Sequence, residues 1–176
     1  MRFVLTRVVA SSTVAASRKN KRISVGELGG RTVAIDGYNV LITVESLILG
    51  APVYLCDDGF LRDTRGIFRR YRFSDHTTFA LSEILSILKE SGIDRAEFLL
   101  DQQISRSGAL AAKIRDMMAE HEVPGSAKTA KEVDRRLKLA DRPVATGDGA
   151  IIDEACEAID LPAEVAMRRR IKVVVL

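Results

Sequence analysis

The sequence predicts an α/β fold with a mainly parallel sheet covered by helices on both faces, and three observations carry that expectation. TVAID (32–36) is a β-branched, apolar run without alternation, as expected for a strand buried on both faces, AEFLLD (96–101) reads as another buried strand and PVATGD (143–148) as a third strand. Segments with helical spacing lie between them, as in 74–91, where Phe79, Leu81, Ile84, Leu85 and Leu88 share one face. The two kinds of segment alternate, as in a chain of strand–helix–strand units.

Taken in order, residues 2–10 read as a short helix or an edge strand. Residues 11–31 are rich in Ser, Arg, Lys and Gly and read as a linker ending in the turn Gly29-Gly30. This divides the chain into a basic N-terminal arm or helix, 1–31, and a domain, 32–176. After TVAID a helix is expected over 38–49, stopped by Gly50, Ala51 and Pro52. PVYLC (52–56) reads as a short strand and Asp57-Asp58-Gly59 as a turn, followed by FLRD and an irregular basic stretch to Arg72. Ser74 or Asp75 can cap the helix that ends at Gly92. AEFLLD is followed by a polar turn and a helix opened by Ser105 or Ser107 and running to Glu120. Beyond the break at Pro124-Gly125, a helix capped by Thr129 is expected over 129–140. PVATGD, a helix over 150–158 and a final strand, IKVVVL (171–176), complete the pattern.

Composition narrows the function classes. A length of 176 residues with 47% hydrophobic and 29% charged residues suits one globular domain, with or without a short extension. No run reaches the roughly 18–20 uncharged apolar residues that span a bilayer, and Arg2 and Arg7 interrupt the N-terminal apolar run, against a secretory signal. Cys56 and Cys156 have no metal-ligand spacing and read as inert thiols of a reducing cytoplasm. His76 and His121 are too few for an imidazole-rich zinc site. Any metal should be held by oxygen, which points to Mg²⁺ or Mn²⁺. Residues 1–31 hold seven Lys and Arg against Glu27 alone, and 168–176 hold Arg168, Arg169, Arg170 and Lys172. The body between them is net acidic. Acids for an ion and basic ends for phosphates would suit a nucleic-acid enzyme; solvated tails would give the same pattern.

In parallel α/β sheets, sites form beyond the carboxyl ends of the strands. Asp36 ends TVAID, Asp101 ends AEFLLD, and Asp148 follows PVAT by one glycine. On neighbouring strands the three would converge, repel one another and favour a hard divalent cation. Asp is also an ordinary helix cap, so each alone has a structural reading. Gly37 allows a sharp turn after Asp36, and Asn39 can fix that turn or hold Asp36. Gly147 and Gly149 bracket Asp148, and Thr146 can bond a phosphate or close the strand.

The segment IDGYNVLI resembles the opening motif of the NYN branch of the PIN-like nuclease superfamily, and VATGDGAIID is similar to that superfamily's later strand–Asp motif. FLLDQQISRSG and KEVDRRL sit where that branch often places further acids. With DDGFLRD, the set is also similar to an uncharacterised archaeal family of PIN-like proteins. The resemblance covers about residues 31–160. It implies a three-layer α/β/α Rossmann-like PIN fold, a divalent metal and phosphodiester hydrolysis, usually of RNA. Carried over by position, it implies Asp36 and Asp148 as the leading ligands, Asp101 and Asp134 as the next, and Asn39 as support. Where NYN proteins often show two adjacent acids, this chain has Val133-Asp134. Many PIN domains carry an early helical acid; Glu83 is the candidate by order, though it lies on a polar helix face with Ser86 and Glu90.

Other residues have two readings each. Asp57, Asp58 and Asp63 with Arg62 could form a second metal position, a substrate loop or a plain turn. Ser105, Arg106 and Ser107 could hold a phosphate at a helix N-terminus or simply cap it. Lys128, Lys131, Arg135 and Arg136 could contact a nucleic-acid backbone or solubilise a surface helix. The expectation is therefore a cytoplasmic Mg²⁺- or Mn²⁺-dependent nuclease acting on RNA. A PIN-like RNA-binding module without turnover is the alternative. Neither has a membrane partner, and a homo-dimer contact is among the roles open to 1–31.

Overall fold

Thr32–Asp36, the run TVAID, is the strand from which the main sheet grows outward in both directions. A computed structural model describes residues 9–66 and 71–175. The expected element at 2–10, the basic stretch around 67–70 and the last residue of the expected C-terminal strand therefore fall wholly or partly outside the described residues.

The elements are α1 (Ser12–Lys21), β1 (Arg22–Ile23), a 3-10 turn (Val25–Glu27), β2 (Thr32–Asp36), α2 (Gly37–Ile48), β3 (Val53–Leu55), β4 (Leu61–Asp63), α3 (Asp75–Glu90), β5 (Arg95–Asp101), α4 (Ser107–Glu120), β6 (Gly125–Ala130), α5 (Val133–Lys138), β7 (Val144–Ala145), α6 (Gly149–Glu154), β8 (Ala158–Ile159), α7 (Leu161–Arg169) and β9 (Val174–Val175). Six strands form the main sheet in the order β1-β8-β7-β2-β5-β6, and every pairing is parallel. A small second sheet has the order β4-β3-β9, with β3 antiparallel to β4 and parallel to β9.

Side chains alternate across the main sheet and bind it to two helical layers. Val33 and Ile35 of β2, with Phe98 and Leu100 of β5, enter the large core that also holds Leu41, Ile84, Ile114 and Val165 of α2, α3, α4 and α7. Between them, Ala34 and Leu99 face the opposite layer, where Val133, Leu137 and Ile151 of α5 and α6 pack. The architecture is three-layer α/β/α, as expected, because strands buried on both faces need a helical layer on each.

Several expected elements differ. Residues 11–31 are not a linker. Ser11 caps α1 through its Oγ, Lys21 donates to the carbonyls of Ile152 and Asp153, and β1 pairs with β8. The division at 31 and 32 thus crosses a continuous sheet, although a helix within 1–31 was one of the two expectations. Within FLRD, Leu61–Asp63 forms a strand that pairs with Val53–Leu55. The helix expected over 129–140 is instead the edge strand β6 followed by the short α5, because Gly125 to Ala130 find their backbone partners on β5. The strand expected over 143–148 stops at Ala145, and the helix expected over 150–158 ends at Glu154, before β8.

Gly125 shows how closely β6 approaches its neighbour. Its φ is +149°, and a Cβ there would lie 1.9 Å from the Ala96 carbonyl oxygen and 2.7 Å from Met118 Cε. Gly125→Ala is expected to lower the unfolding free energy by about 3 kcal/mol, read by urea titration, since neither the backbone nor the carbonyl can yield cheaply.

Candidate functional site

The strand order places the first strand of the repeating units, β2, centrally, with β5 and β6 to one side and β7 and β8 to the other. The chain reverses direction of growth between β2 and β7, and such a switch point opens a crevice beyond the strands' carboxyl ends. Asp36 and Asp148 stand on either side of it.

Asp36 closes β2 and caps α2, its Oδ1 accepting from the Asn39 amide at 3.5 Å. Thr146 Oγ1 donates to its Oδ2 at 2.9 Å. The side chain is buried, and that burial pushes its pKa up to about 7 against the Thr146 hydrogen bond, with repulsion from Asp148 and Asp134 adding to the shift. The turn after Asp36 needs Gly37: a Cβ there would be 2.5 Å from Leu100 Cδ2 and 3.0 Å from the Leu99 carbonyl.

Asp148 caps α6 with Oδ1, which accepts from Ala150 at 2.8 Å and Ile151 at 3.4 Å. Its own amide donates to Thr146 Oγ1 at 3.1 Å, so one hydroxyl joins Asp36 to the Asp148 backbone. Asn39 does not hold the Asp36 carboxylate by its side chain. Its Oδ1 accepts from the Gly147 amide at 2.7 Å and ties α2 to the loop after β7.

Asp101 ends β5 opposite Ala130 and uses Oδ1 to accept from Gln103 at 2.8 Å. Tyr38 lies near it. Burial first, then Asp101, raises the Tyr38 hydroxyl to about 12. Asp134 sits in the first turn of α5, its pKa raised by partial burial and by Asp148, lowered by Lys138 and raised again by Asp101. The four aspartates thus form one electrostatic group, linked through Asp134. Among the described residues, no three acidic, His or Cys side chains stand close enough to make a ready-assembled ligand shell.

The basic candidates frame the same end of the sheet. Ser105 and Arg106 are exposed in the turn after β5, and Lys131 and Arg135 are exposed after β6. The Gln102 amide donates to the Ala130 carbonyl and joins the two turns. Neither Ser105 nor Ser107 caps α4. Arg106 occupies the cap position with φ 62° and no side-chain cap bond, and Ser107 is buried at the first helical position. Arg135 approaches Glu132 at 3.6 Å, a surface pair. Glu83 is bound by both Nε and Nη2 of Arg169 and is largely covered.

The acidic loop at 57–63 also proves structural. Asp58 is fully buried, and its two oxygens accept from Arg62 Nη1 at 2.9 Å and Nη2 at 2.6 Å. Arg18 Nη1 adds a third bond at 3.0 Å. Burial alone would raise the Asp58 pKa, but the two guanidiniums outweigh it and hold it low. Sequence reasoning missed Arg18 and Asp160. Asp160 is buried and accepts from the amides of Leu61 at 2.7 Å and Ala163 at 2.9 Å. The only available signal was its place before Leu161-Pro162, where a helix cap is expected.

Burial raises the Asp160 carboxyl to about 6, only partly offset by those two amides. A folded-state pKa above the unfolded one means that native protein holds the proton more tightly. Its contribution to stability is full below about pH 4 and is lost as pH rises through about 6. Asp160→Asn, compared with wild type by urea titration from pH 4 to 7, is expected to show a shallower fall. Asp36, shifted the same way, contributes to the slope in both proteins.

A parallel three-layer α/β domain with an acidic crevice at the switch point is the class that fold and site define. The chain belongs to the family described as a domain of unknown function (DUF5616), which matches residues 25–164. It is also similar to the uncharacterized protein MJ0935 of Methanocaldococcus jannaschii, at 36% identity over 165 residues, covering 93% of this chain and 78% of that protein. No solved structure matches it significantly. Among the described residues, no helix is long and apolar enough to cross a membrane.

Proposed function

We propose that this protein is a nuclease of the PIN-like, NYN type, hydrolysing phosphodiester bonds in RNA with Mg²⁺ or Mn²⁺ held by Asp36, Asp101, Asp134 and Asp148. The observation that carries the reading is the electrostatic coupling of these four acids beside the switch point, with Asp36 pushed up to about 7 by burial and its acidic neighbours. Structural pairs such as Asp58–Arg62 bring their own cations; in this group Lys138 offsets part of the repulsion at Asp134. The donor chemistry suits a hard divalent ion, being all carboxylate oxygen, and the backbone amides that Asp101 and Asp148 accept from are bound through Oδ1. Closure of the carboxylates onto an ion is part of the proposal.

Bound there, a divalent ion would supply Lewis acidity and charge neutralisation at the phosphate. The chain's own part is to hold Asp36 in the crevice through Thr146 and the Asn39 amide, and to keep Asp148 beside it. Arg106, Lys131 and Arg135, exposed after β5 and β6, would meet phosphates of a strand crossing the sheet's carboxyl edge. The free thiols of Cys56 and Cys156 accord with a reducing cytoplasm.

Purified protein with Mn²⁺ should cleave single-stranded or structured RNA and lose that activity to a chelator. Salt-sensitive RNA binding with no metal-dependent cleavage would instead identify the binding module without turnover.

A further inference from the structure

An ion array with a buried centre begins on the N-terminal helix and ends on the loop that carries Asp148. Asp153 accepts from Arg18 Nε at 2.7 Å and Nη2 at 2.8 Å, and Arg18 Nη1 donates to Asp58. Asp58 binds both terminal nitrogens of Arg62, and the remaining Arg62 Nε donates to the Gly147 carbonyl. All three nitrogens of Arg62 are thus committed, two to a carboxylate and one to a single backbone oxygen. The fork is rigid, and the pair is buried.

Gly147 is gripped from both sides. Its amide goes to Asn39 Oδ1 and its carbonyl to Arg62. A Cβ on Gly147 would stand 2.8 Å from the Leu61 carbonyl, so the backbone of β4 closes directly onto it. Leu61 is in turn fixed by Asp160. On the other side of Asp148, a Cβ on Gly149 would meet the Arg18 guanidinium at 2.5–2.6 Å. Both glycines that flank Asp148 are therefore packed by arms of one array, while Thr146 Oγ1 accepts from the Asp148 amide and donates to Asp36.

We propose that Arg62 is a positioning residue for the candidate site, acting through the Gly147 carbonyl to fix the loop that sets Asp148 beside Asp36, with Asp58 and Arg18 holding its guanidinium in place. The assignment rests on reading the four aspartates as the functional centre. A buried ion pair contributes little net stability compared with apolar residues of the same volume, so stability alone does not explain the array. Its geometry delivers one charged donor to one carbonyl next to the aspartate at the crevice.

Arg62→Lys in the full chain tests this, because lysine keeps the charge for Asp58 but loses the planar fork that reaches Gly147 as well. Two measurements decide: amide hydrogen exchange at Gly147, Asp148 and Ala150, and Mn²⁺ affinity by electron paramagnetic resonance titration. The variant should exchange at these amides about tenfold faster and bind Mn²⁺ about tenfold more weakly. Ile114→Val, a core change on the far helical layer, should move neither. Wild-type exchange at these amides in Arg62→Lys, or equal changes in Ile114→Val, would overturn the assignment. If wild type takes up no Mn²⁺, the metal reading fails and the exchange result alone decides the role of Arg62. Should Arg62→Lys not fold, Asp58→Leu with Arg62→Met removes the pair together and serves the same two measurements.

Discussion

Asp36→Asn is expected to reduce Mn²⁺-dependent RNA cleavage to background, a loss of at least about a thousandfold, or about 4 kcal/mol of barrier at 1.36 kcal/mol per decade. The substitution keeps a side-chain oxygen able to accept from Thr146 or the Asn39 amide, so the local frame persists. It also removes a buried charge that Asp148 and Asp134 oppose. The metal-free variant should therefore melt no lower than wild type at pH 8. Activity and stability move in different directions, which separates a lost functional group from a damaged fold. Single-turnover cleavage of a labelled RNA and a thermal melt of the same preparation make the comparison, and cleavage at the wild-type rate would sink the assignment of Asp36.

The largest stability effect is expected at Asp58. Asp58→Ala leaves Arg62, with 6% of its side chain exposed, as a buried cation without its carboxylate, and it removes one of the two acidic partners of Arg18. Breaking a buried pair in this way costs about 3–5 kcal/mol, against about 1 for a typical point change. Replacing both partners with Asp58→Leu and Arg62→Met should recover most of that loss, because no charge then remains without a partner. Urea unfolding of the two variants beside wild type measures the difference. A double variant as unstable as Asp58→Ala would show that packing, not charge, sets the cost.

The parallel core was legible because its strands announce themselves. TVAID is β-branched or apolar up to its final Asp36, and AEFLLD is apolar but for Glu97 and its final Asp101, as suits strands enclosed by two helical layers. The acids at their ends were legible for the same reason, since the end of a strand fixes the end of the sheet. GSAKTA was not. As an edge strand it pairs only with β5, and it contributes only Ala127 and Ala130 to the interior, so its polar sequence resembles a helix surface. β1 and β8 are two residues each, too short for any periodicity, and exist because each pairs with a segment far away in the chain. The ion array escaped for a similar reason. Arg18 lies 40 residues from Asp58 and 135 from Asp153, and no local spacing encodes such a meeting. Asn39 was recognised as part of the site, but its partner, the Gly147 amide, becomes visible only when β2 and β7 lie side by side.

The pairing of β1 with β8 also bears on the order of events during synthesis. Residues 12–23 are synthesised long before Asp153, Ala158 and Ile159, the partners they meet in the folded protein. Contacts of such long separation form late. A growing chain can therefore bring β2 and β5 together long before Arg18 can bind Asp153 or the loop at 146–149 exists to be gripped. Asp36 and Asp101 can thus meet on neighbouring strands early, and the group of acids is completed only when the segment carrying Asp148 has joined them.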